Sequence, residues 1–143
     1  MDKKFYDALA ASIYVNSMTL AGKAIDTDDK RLRASGLYPD WTAGSHEVGE
    51  IYNAEGQTWE CFAAYDNAVY PDITPSGPAW FTFNRPLHGK TALTARPFVA
   101  PMGAHDTYKP GECMTFTDGK TYRCKTETAY SPTDYAQAWE VVE

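Results

Sequence analysis

The first 36 residues carry apolar side chains at helical spacing. Between positions 3 and 22 a stripe runs through Phe5, Leu9, Ile13 and Leu20, and Tyr6, Ala10, Tyr14 and Met18 widen it. This is the period of an amphipathic α-helix. Gly22 stands where such a helix would end, because glycine adopts the left-handed conformation of a C-terminal cap. A first helix is therefore predicted over residues 3–22.

A second, shorter helix is predicted from the run DTDDKRLRAS. Asp26 or Thr27 can act as the N-cap, acidic residues fill the first turn, and Gly36 follows the last turn with the apolar Leu37 behind it. This order of acids, bases and glycine is typical of a helix start and stop. Residues 1–36 are thus predicted to form a helical N-terminal segment.

From Tyr38 onward the helical spacing ends, and short alternating runs are separated by Gly and Pro. Two stretches match at an offset of about 60 residues, a period that indicates an internal repeat. The matched pairs are Gly49 with Gly111, Gly56 with Gly119, Trp59 with Tyr122, Cys61 with Cys124, Tyr70 with Tyr130, and Trp80 with Trp139. We therefore predict one small β module written twice, each copy closing on a strand that carries its Trp.

Each copy predicts a hairpin followed by a loop and a final strand. The run TDGK (117–120) is an Asp-Gly hairpin signal, and AEGQ (54–57) is its weaker counterpart. The predicted fold class is α+β, with N-terminal helices followed by two three-stranded all-β repeats. The predicted organisation is a helical segment over 1–36, module copy 1 over 37–83, a connector over 84–100 and module copy 2 over 101–143.

The repeated pattern resembles a known family of small modules. An opening aromatic, Gly-acid, a hairpin, aromatic-x-Cys, a loop with Pro and a closing Trp are similar to the chitin-binding modules of carbohydrate-binding families 5 and 12. The resemblance is greater to the versions found in phage tail and virion proteins, where a helical segment runs into a junction like LYPDW (37–41). It implies a virion protein, made in the host cytoplasm, that binds glycan on the host surface.

Composition excludes some function classes. The chain has 143 residues, 22% of them charged, and a net charge of −6. Nucleic-acid binding is not expected, because phosphate contacts need clustered Lys and Arg. No run of about 18 apolar residues occurs, so no membrane partner is expected. Asp7 and Asn16 interrupt the stretch that could pass for a signal peptide, so an unprocessed chain is expected.

No catalytic residue, metal ligand or cofactor is predicted. His46, His88 and His105 lack metal-ligand spacing, and no nucleophile or phosphate-binding motif occurs. Acidic side chains such as Asp66 and Asp72 are interpreted as solvated surface groups. The chain is therefore expected not to be an enzyme.

The three cysteines, an odd number, do not form a disulfide framework. A two-residue turn at Asp118-Gly119 would set Cys113 opposite Cys124 and allow a cross-strand disulfide. The extra residue between the glycines of copy 2 suggests a bulge instead. Alternation places Trp59, Tyr122, Cys61 and Cys124 on one face of their strands, which we expect to be the core.

The candidate ligand-binding residues are aromatic, because sugar rings present C–H faces that stack on aromatic planes. Such a module needs two or three exposed, roughly coplanar rings. The candidates are Tyr65, Tyr70, Trp80, Phe81, Tyr130, Tyr135 and Trp139. Core packing is the competing role for the two Trp residues. Copy 2 closes on Trp139-Glu140 where the family has paired aromatics, which weakens the resemblance there.

The stripe of the first helix is too broad for a solitary helix. It is expected to dock on the modules, to attach to other virion proteins, or to join copies of the chain, for example as a homotrimer. Asn16 lies in the stripe as register-fixing polar residues do in coiled coils. Two further functions stay open: a purely structural assembly protein, and the binding part of a glycan-degrading system.

Overall fold

The computed structural model of the chain describes residues 2–142. It is mixed α+β, with one long N-terminal helix followed by several small, mostly antiparallel sheets. The helices are α1 (Lys3–Leu20) and α2 (Asp28–Arg33), with 3₁₀ turns at Ser35–Leu37, Trp80–Thr82 and Ala136–Ala138. The strands are β1 (Ser45–His46), β2 (Ile51–Ala54), β3 (Gln57–Cys61), β4 (Tyr65–Asp66), β5 (Asn84–Pro86), β6 (Arg96–Pro97), β7 (Cys113–Thr115), β8 (Thr121–Cys124) and β9 (Trp139–Val142). Within the described residues, no helix combines the length and apolarity that a membrane span requires.

Both ends of α1 are capped by local hydrogen bonds. The Asp2 carboxylate accepts from the Phe5 amide at 2.9 Å and so satisfies a free N–H of the first turn. At the other end Gly22 has φ +68°, and the Lys23 amide donates to the Met18 carbonyl at 2.9 Å. This is a Schellman-type termination. The predicted first helix is confirmed, and its end is fixed by the predicted glycine.

The second predicted helix is also present, with a different role for its glycine. Thr27 is the N-cap, and its hydroxyl accepts from the Lys30 amide at 3.2 Å. Gly36 does not end the helix in a left-handed conformation. It lies in the following 3₁₀ turn, where a Cβ atom would come within 2.3 Å of the Asp7 backbone in α1. Glycine is needed there because two backbones meet.

Charged groups fasten α2 to the β-rich remainder of the chain. The Asp28 carboxylate accepts two hydrogen bonds from the Arg85 guanidinium, at 2.9 and 2.7 Å, and Arg85 also donates to Glu60 at 2.8 Å. Next to it, Asp29 accepts from the Lys90 amide at 2.7 Å. A bidentate Arg–carboxylate pair fixes orientation as well as distance. The helical segment is therefore held in one position against the first sheet.

The strands form three sheets. β2, β3 and β5 make an antiparallel sheet, and β1 pairs with β4 beside it. β6, β7, β8 and β9 make a four-stranded sheet, in which β6 runs parallel to β7 and the other pairs are antiparallel. The predicted connector (84–100) is therefore not a plain linker. Its first residues complete the first sheet, and Arg96–Pro97 forms an edge of the second.

The two hairpins turn differently, and the difference sets the cysteine register. In the first, Glu55 and Gly56 form a two-residue turn with φ values of +53° and +75°. In the second, Phe116 pairs with Lys120 across three residues, so that Cys113 lies opposite Arg123. The extra residue excludes the cross-strand pairing of Cys113 with Cys124. All three cysteines are free thiols.

The three-stranded sheet and the four-stranded sheet each cover a core. Under the first, Tyr52, Trp59, Cys61 and Tyr65 form one buried cluster, and under the second the cluster is Tyr108, Met114, Cys124, Ala138 and Trp139. The prediction that the aromatic-x-Cys positions pack inward is confirmed for Trp59, Cys61 and Cys124, whereas Tyr122 is half-buried. Its hydroxyl reaches out to Asp118 at 2.5 Å.

The two halves share a local hydrogen-bond arrangement at the hairpin entrance. The Gly49 amide donates to the Cys61 carbonyl, and the Gly111 amide donates to the Cys124 carbonyl, both at 2.9 Å. The two glycines have φ values of +93° and +92°. Both positions need the left-handed region that favours glycine, so the matched glycines have a common structural reason.

The predicted equivalence of Trp80 and Trp139 is wrong. In the closing strands, Asn84 lies opposite Cys61 and Trp139 lies opposite Cys124. Trp80 precedes its closing strand and sits on a 3₁₀ turn. The loop before the strand is much shorter in the second half, and this shifts the Trp from the loop into the strand.

Candidate functional site

Tyr65 is a core residue. Its side chain is 4% exposed, and its hydroxyl lies 2.9 Å from the Trp41 indole nitrogen, which donates to it, and 3.0 Å from the Tyr52 hydroxyl. Its ring stacks on Phe83, with centroids 5.0 Å apart and planes 12° apart. The His46 ring also lies 4.9 Å from it, tilted by 32°, so the ring and the hydroxyl are both engaged inside the protein. Tyr65 therefore has no free face to offer a ligand, and its prediction as a ligand-binding residue needs correction.

Trp139, in the second half, is also a core residue, and its prediction as a ligand-binding residue needs the same correction. It is 5% exposed and lies edge-on to Tyr108, with centroids 5.3 Å apart. Its indole N–H donates to the Tyr130 carbonyl at 3.0 Å. Trp139 therefore packs in the core and holds the loop that carries Tyr130, instead of stacking on a ligand itself.

Tyr70 is an exposed candidate on the first half. It is 47% exposed, and one part of its ring leans on Phe83 at a centroid distance of 5.2 Å. Its loop is fastened from inside, because the Asn67 side-chain amide donates to the carbonyls of Tyr70 and Ile73 at 3.0 and 2.8 Å. The exposed ring is thus presented by a loop with fixed backbone, which lowers the entropy lost on binding.

Trp80 and Phe81 are both half-buried. Trp80 leans on the core residue Trp59 at 5.4 Å, and its plane is at 89° to that of Phe81. Two perpendicular rings cannot lie flat against one sugar face. The predicted coplanar platform of this pair is therefore not formed, and only one of the two rings can stack on a given ligand.

Tyr130 and Tyr135 are exposed in the second half, at 61% and 41%. The Tyr130 amide donates to the Thr128 hydroxyl at 3.0 Å, and the Tyr135 amide donates to the Ser131 carbonyl at 2.8 Å. The Ser131 hydroxyl also accepts from the Asp134 amide at 3.2 Å. Both rings are therefore carried on a loop whose backbone is tied down by its own hydroxyl groups.

Sequence reasoning missed a groove beside Trp41. The groove has a volume of about 490 Å³, and the half-buried Trp41 lies among polar groups. Its lining includes Asp40, Asn53, Glu55, Thr74 and Ser76. An aromatic face next to carboxylate, amide and hydroxyl groups is a combination that suits a polar ligand with apolar faces. The signal lies in LYPDW (37–41), where an Asp precedes a Trp, a run that the resemblance explains only as a junction.

A wider groove of about 750 Å³ lies between α1, the first 3₁₀ turn and β6. The Arg96 guanidinium lies in it and donates to the Leu32 carbonyl at 3.4 Å and the Ser35 hydroxyl at 3.2 Å. Burial lowers the pKa of Arg96, with the charge of Asp7 opposing that shift. Since the guanidinium cross-links neighbouring backbone, its first role is structural.

Two histidines are held in structural contacts. His46 contacts the Glu50 carboxylate at 3.2 Å and the Thr42 carbonyl at 2.8 Å through its two ring nitrogens. His88 contacts Glu112 at 2.9 Å and stacks on Tyr108, with centroids 3.9 Å apart and planes 8° apart. Between residues 2 and 142, no three His, Cys, Asp or Glu side chains are grouped to hold a metal ion.

The cysteine thiols are buried and protonated. Burial raises the pKa of Cys61 and of Cys113, and it raises the pKa of Cys124 to about 11. The Cys124 thiol donates to the Thr126 carbonyl at 3.0 Å, and the Cys61 thiol donates to the Ala63 carbonyl at 3.0 Å. A protonated, hydrogen-bonded thiol is a poor nucleophile, so these groups act as packing residues.

A scan against protein-family models and a search of curated proteins both find no match for the chain.

Proposed function

We propose that the chain is a non-enzymatic phage virion protein, of the tail or another surface appendage, that contacts host-surface glycan through exposed tyrosines. The observation that carries the proposal is that Tyr70 and Tyr130, at matched positions of the repeated pattern, are both exposed on fastened loops. A small acidic domain gains little from leaving two such rings in water. A ligand with apolar faces gives them a role.

We also propose that the two halves are copies of one chitin-binding-like module. The shared glycine geometry at the hairpin entrances and the matched inward Cys61 and Cys124 support this. Under this proposal the two copies differ in the closing loop, since Trp139 lies in its closing strand and Trp80 precedes its own.

The expected interaction is weak stacking of single rings on sugar, strengthened when several binding sites act together. Each ring on a sugar face contributes about 0.5–1.5 kcal/mol beyond buried area. One half of the chain would therefore bind weakly. Two halves on one chain, or many chains on a virion, would raise the effective affinity through local concentration. Polar groups beside Trp41 would extend recognition to sugar hydroxyls in the first half.

A structural assembly role is the second candidate, and a specific observation favours it. Of the seven aromatic residues predicted to bind ligand, Tyr65 and Trp139 are buried and Trp80 and Phe81 are half-buried. Tyr65, Trp80 and Trp139 thus pack in or against the two cores. Under this alternative, Tyr70 and Tyr130 contact neighbouring virion proteins instead of sugar.

The test compares ring removals with a matched surface change. Purified wild type is titrated against soluble wall fragments and chitin oligosaccharides, alongside Tyr70→Ala, Phe81→Ala and Tyr130→Ala. Leu93→Ala, at a position 74% exposed in the connector, is the control. Each ring removal should weaken binding about two- to tenfold, given the stacking energy above, with unchanged thermal melts. If wild type binds none of the fragments, or if all variants bind equally well, the glycan-binding proposal is wrong and the structural assembly role is favoured.

A further inference from the structure

The exposed side of α1 follows a heptad pattern. Tyr6, Leu9, Ile13, Asn16 and Leu20 are separated alternately by three and four residues, which is the a/d spacing of a coiled coil. We call these five residues the seam. All five side chains are exposed, with Tyr6 at 57%, Ile13 at 63% and Leu20 at 89%. The seam therefore faces away from the rest of the chain.

The opposite side of α1 is the side that docks. Ala11 is fully buried, and the Asp7 backbone lies against Gly36. In heptad terms Ala11 is at position f, the position farthest from an a/d seam, and Asp7 is at b. The body of the protein therefore covers the outer face of the helix and leaves the coiled-coil face free. This arrangement allows α1 to bind its own body and other helices at the same time.

From this geometry we infer that α1 joins further copies of this chain in a parallel helical bundle through the seam. The inference is independent of glycan binding by the β-rich halves. Three properties of the seam indicate that its partner is another copy of the same chain: the size of the exposed apolar face, its lack of charge, and its single polar residue.

The size of the exposed face is large for one chain. Phe5, at 48% exposure beside the seam, adds to the four apolar seam residues. Together they expose on the order of 600 Å² if a large side chain presents about 200 Å² when free. This equals the largest patch of a typical monomer and approaches the roughly 800 Å² per partner of a standard interface. Association should therefore be concentration-dependent.

The charge and polarity of the face point to a copy of itself. The seam carries no ionisable side chain except the Tyr6 hydroxyl, so it offers nothing to a partner selected by charge. Its one amide, Asn16, would lie unpaired against an apolar partner. In a parallel bundle each layer is formed by the same residue of every copy, so Asn16 meets Asn16 and both amides are hydrogen-bonded. An antiparallel pair centred on Ile13 would place Asn16 near Leu9 instead.

The experiment measures mass in solution and helix orientation. Sedimentation of wild type across a concentration series should reach two or more times the 15.9 kDa of one chain. Ile13→Asp should sediment as one chain at every concentration, because it places a charge in the seam. Val48→Asp is the matched control, since Val48 is 67% exposed on a loop of the body, and it should behave as wild type. Circular dichroism and thermal melts check that the variants fold.

Orientation is tested by Leu20→Cys under mild oxidation, which leaves Asn16 in place; Leu20 is 89% exposed and would lie near Tyr6 in the antiparallel pair. A parallel bundle should give a disulfide-linked dimer of chains in high yield. Leu37→Cys, at an exposed site away from the seam, should not. The three native thiols are buried and should stay silent. Wild type that remains a single chain throughout the series, dissociation by Val48→Asp as well, or equal cross-linking of the two cysteine variants would overturn the inference.

Discussion

Replacing Gly36 by alanine tests how α1 is docked. A Cβ atom at this position would lie 2.3 Å from the carbonyl carbon and the oxygen of Asp7 and 2.7 Å from the Ala8 nitrogen. Ordinary contact distances start near 3.4 Å. The atoms in the way are backbone, so no side-chain rotation can relieve the overlap. The helix or the 3₁₀ turn must move by about 1 Å at their point of contact.

The size of the effect follows from two opposing contributions. Overpacking of a well-packed contact costs about 1–3 kcal/mol. Loss of glycine freedom in the unfolded chain offsets this by about 0.4–1 kcal/mol. The net destabilisation of the docked helix should be about 1–2 kcal/mol, which is a factor of about 5–30 in the docked population. The fully buried Ala11 lies one helical turn from Asp7, so its packing should be the first to loosen.

Amide hydrogen exchange followed by mass spectrometry measures this directly. Gly36→Ala should speed exchange over residues 8–14 by about 5- to 30-fold. The β2–β3 hairpin should keep its protection, because its own core is untouched. Leu37→Ala, in the same turn but 48% exposed, is the control. If residues 8–14 exchange at the wild-type rate in Gly36→Ala, or equally fast in the control, the close approach does not hold the helix.

Two further predictions concern charge and thiols. Burial by itself would raise the pKa of Asp28, but the hydrogen bonds and charge of Arg85 outweigh burial and hold that pKa below its ordinary value of 3.8. The stability that the ionised Asp28 contributes is therefore present above pH 3.8 and should be lost as pH falls through the folded pKa. Arg85→Met should lower the free energy of unfolding by about 2–3 kcal/mol at neutral pH, somewhat less than for a fully buried pair because each side chain keeps about a fifth of its exposure. In urea denaturation measured at a series of pH values, the variant should lose less stability at acid pH than wild type does. An unchanged loss at acid pH would contradict the role of Arg85. A thiol reagent at pH 8 should leave native Cys61, Cys113 and Cys124 unlabelled and label all three in denaturant, and prompt native labelling would show that they are not buried.

Local signals predicted the helices and the hairpins well. The apolar spacing and Gly22 bounded α1, and Thr27 started α2. The first hairpin turns at Glu55-Gly56 as predicted, and the second turns within the predicted TDGK run but over three residues, 117–119. These features depend on a few adjacent residues, whose backbone preferences act whatever the rest of the chain does.

Contacts between residues far apart in the sequence could not be predicted from such local signals. The role of Gly36 depends on α1, which packs on it from far away in sequence. Trp80 and Trp139 match by type and order, but a shortened loop changes which of them enters a strand. The sequence predicts the candidate rings by residue type alone. Exposure separated Tyr70 and Tyr130 from the buried Tyr65, and sequence alone does not report exposure.

The short parallel strand β6 limits how the molecule can be divided. Arg96 and Pro97 pair with β7, and the Cys113 amide donates to the Gly89 carbonyl at 2.8 Å, so the connector shields the outer edge of the second sheet. A fragment starting at residue 101 would leave that edge bare, and bare edges pair with other chains. A soluble fragment must therefore start before Gly89. Since Asp29 accepts from the Lys90 amide in that same stretch, the cut would also break this second attachment of α2. Any trimming of this chain for display or fusion is best confined to its two ends.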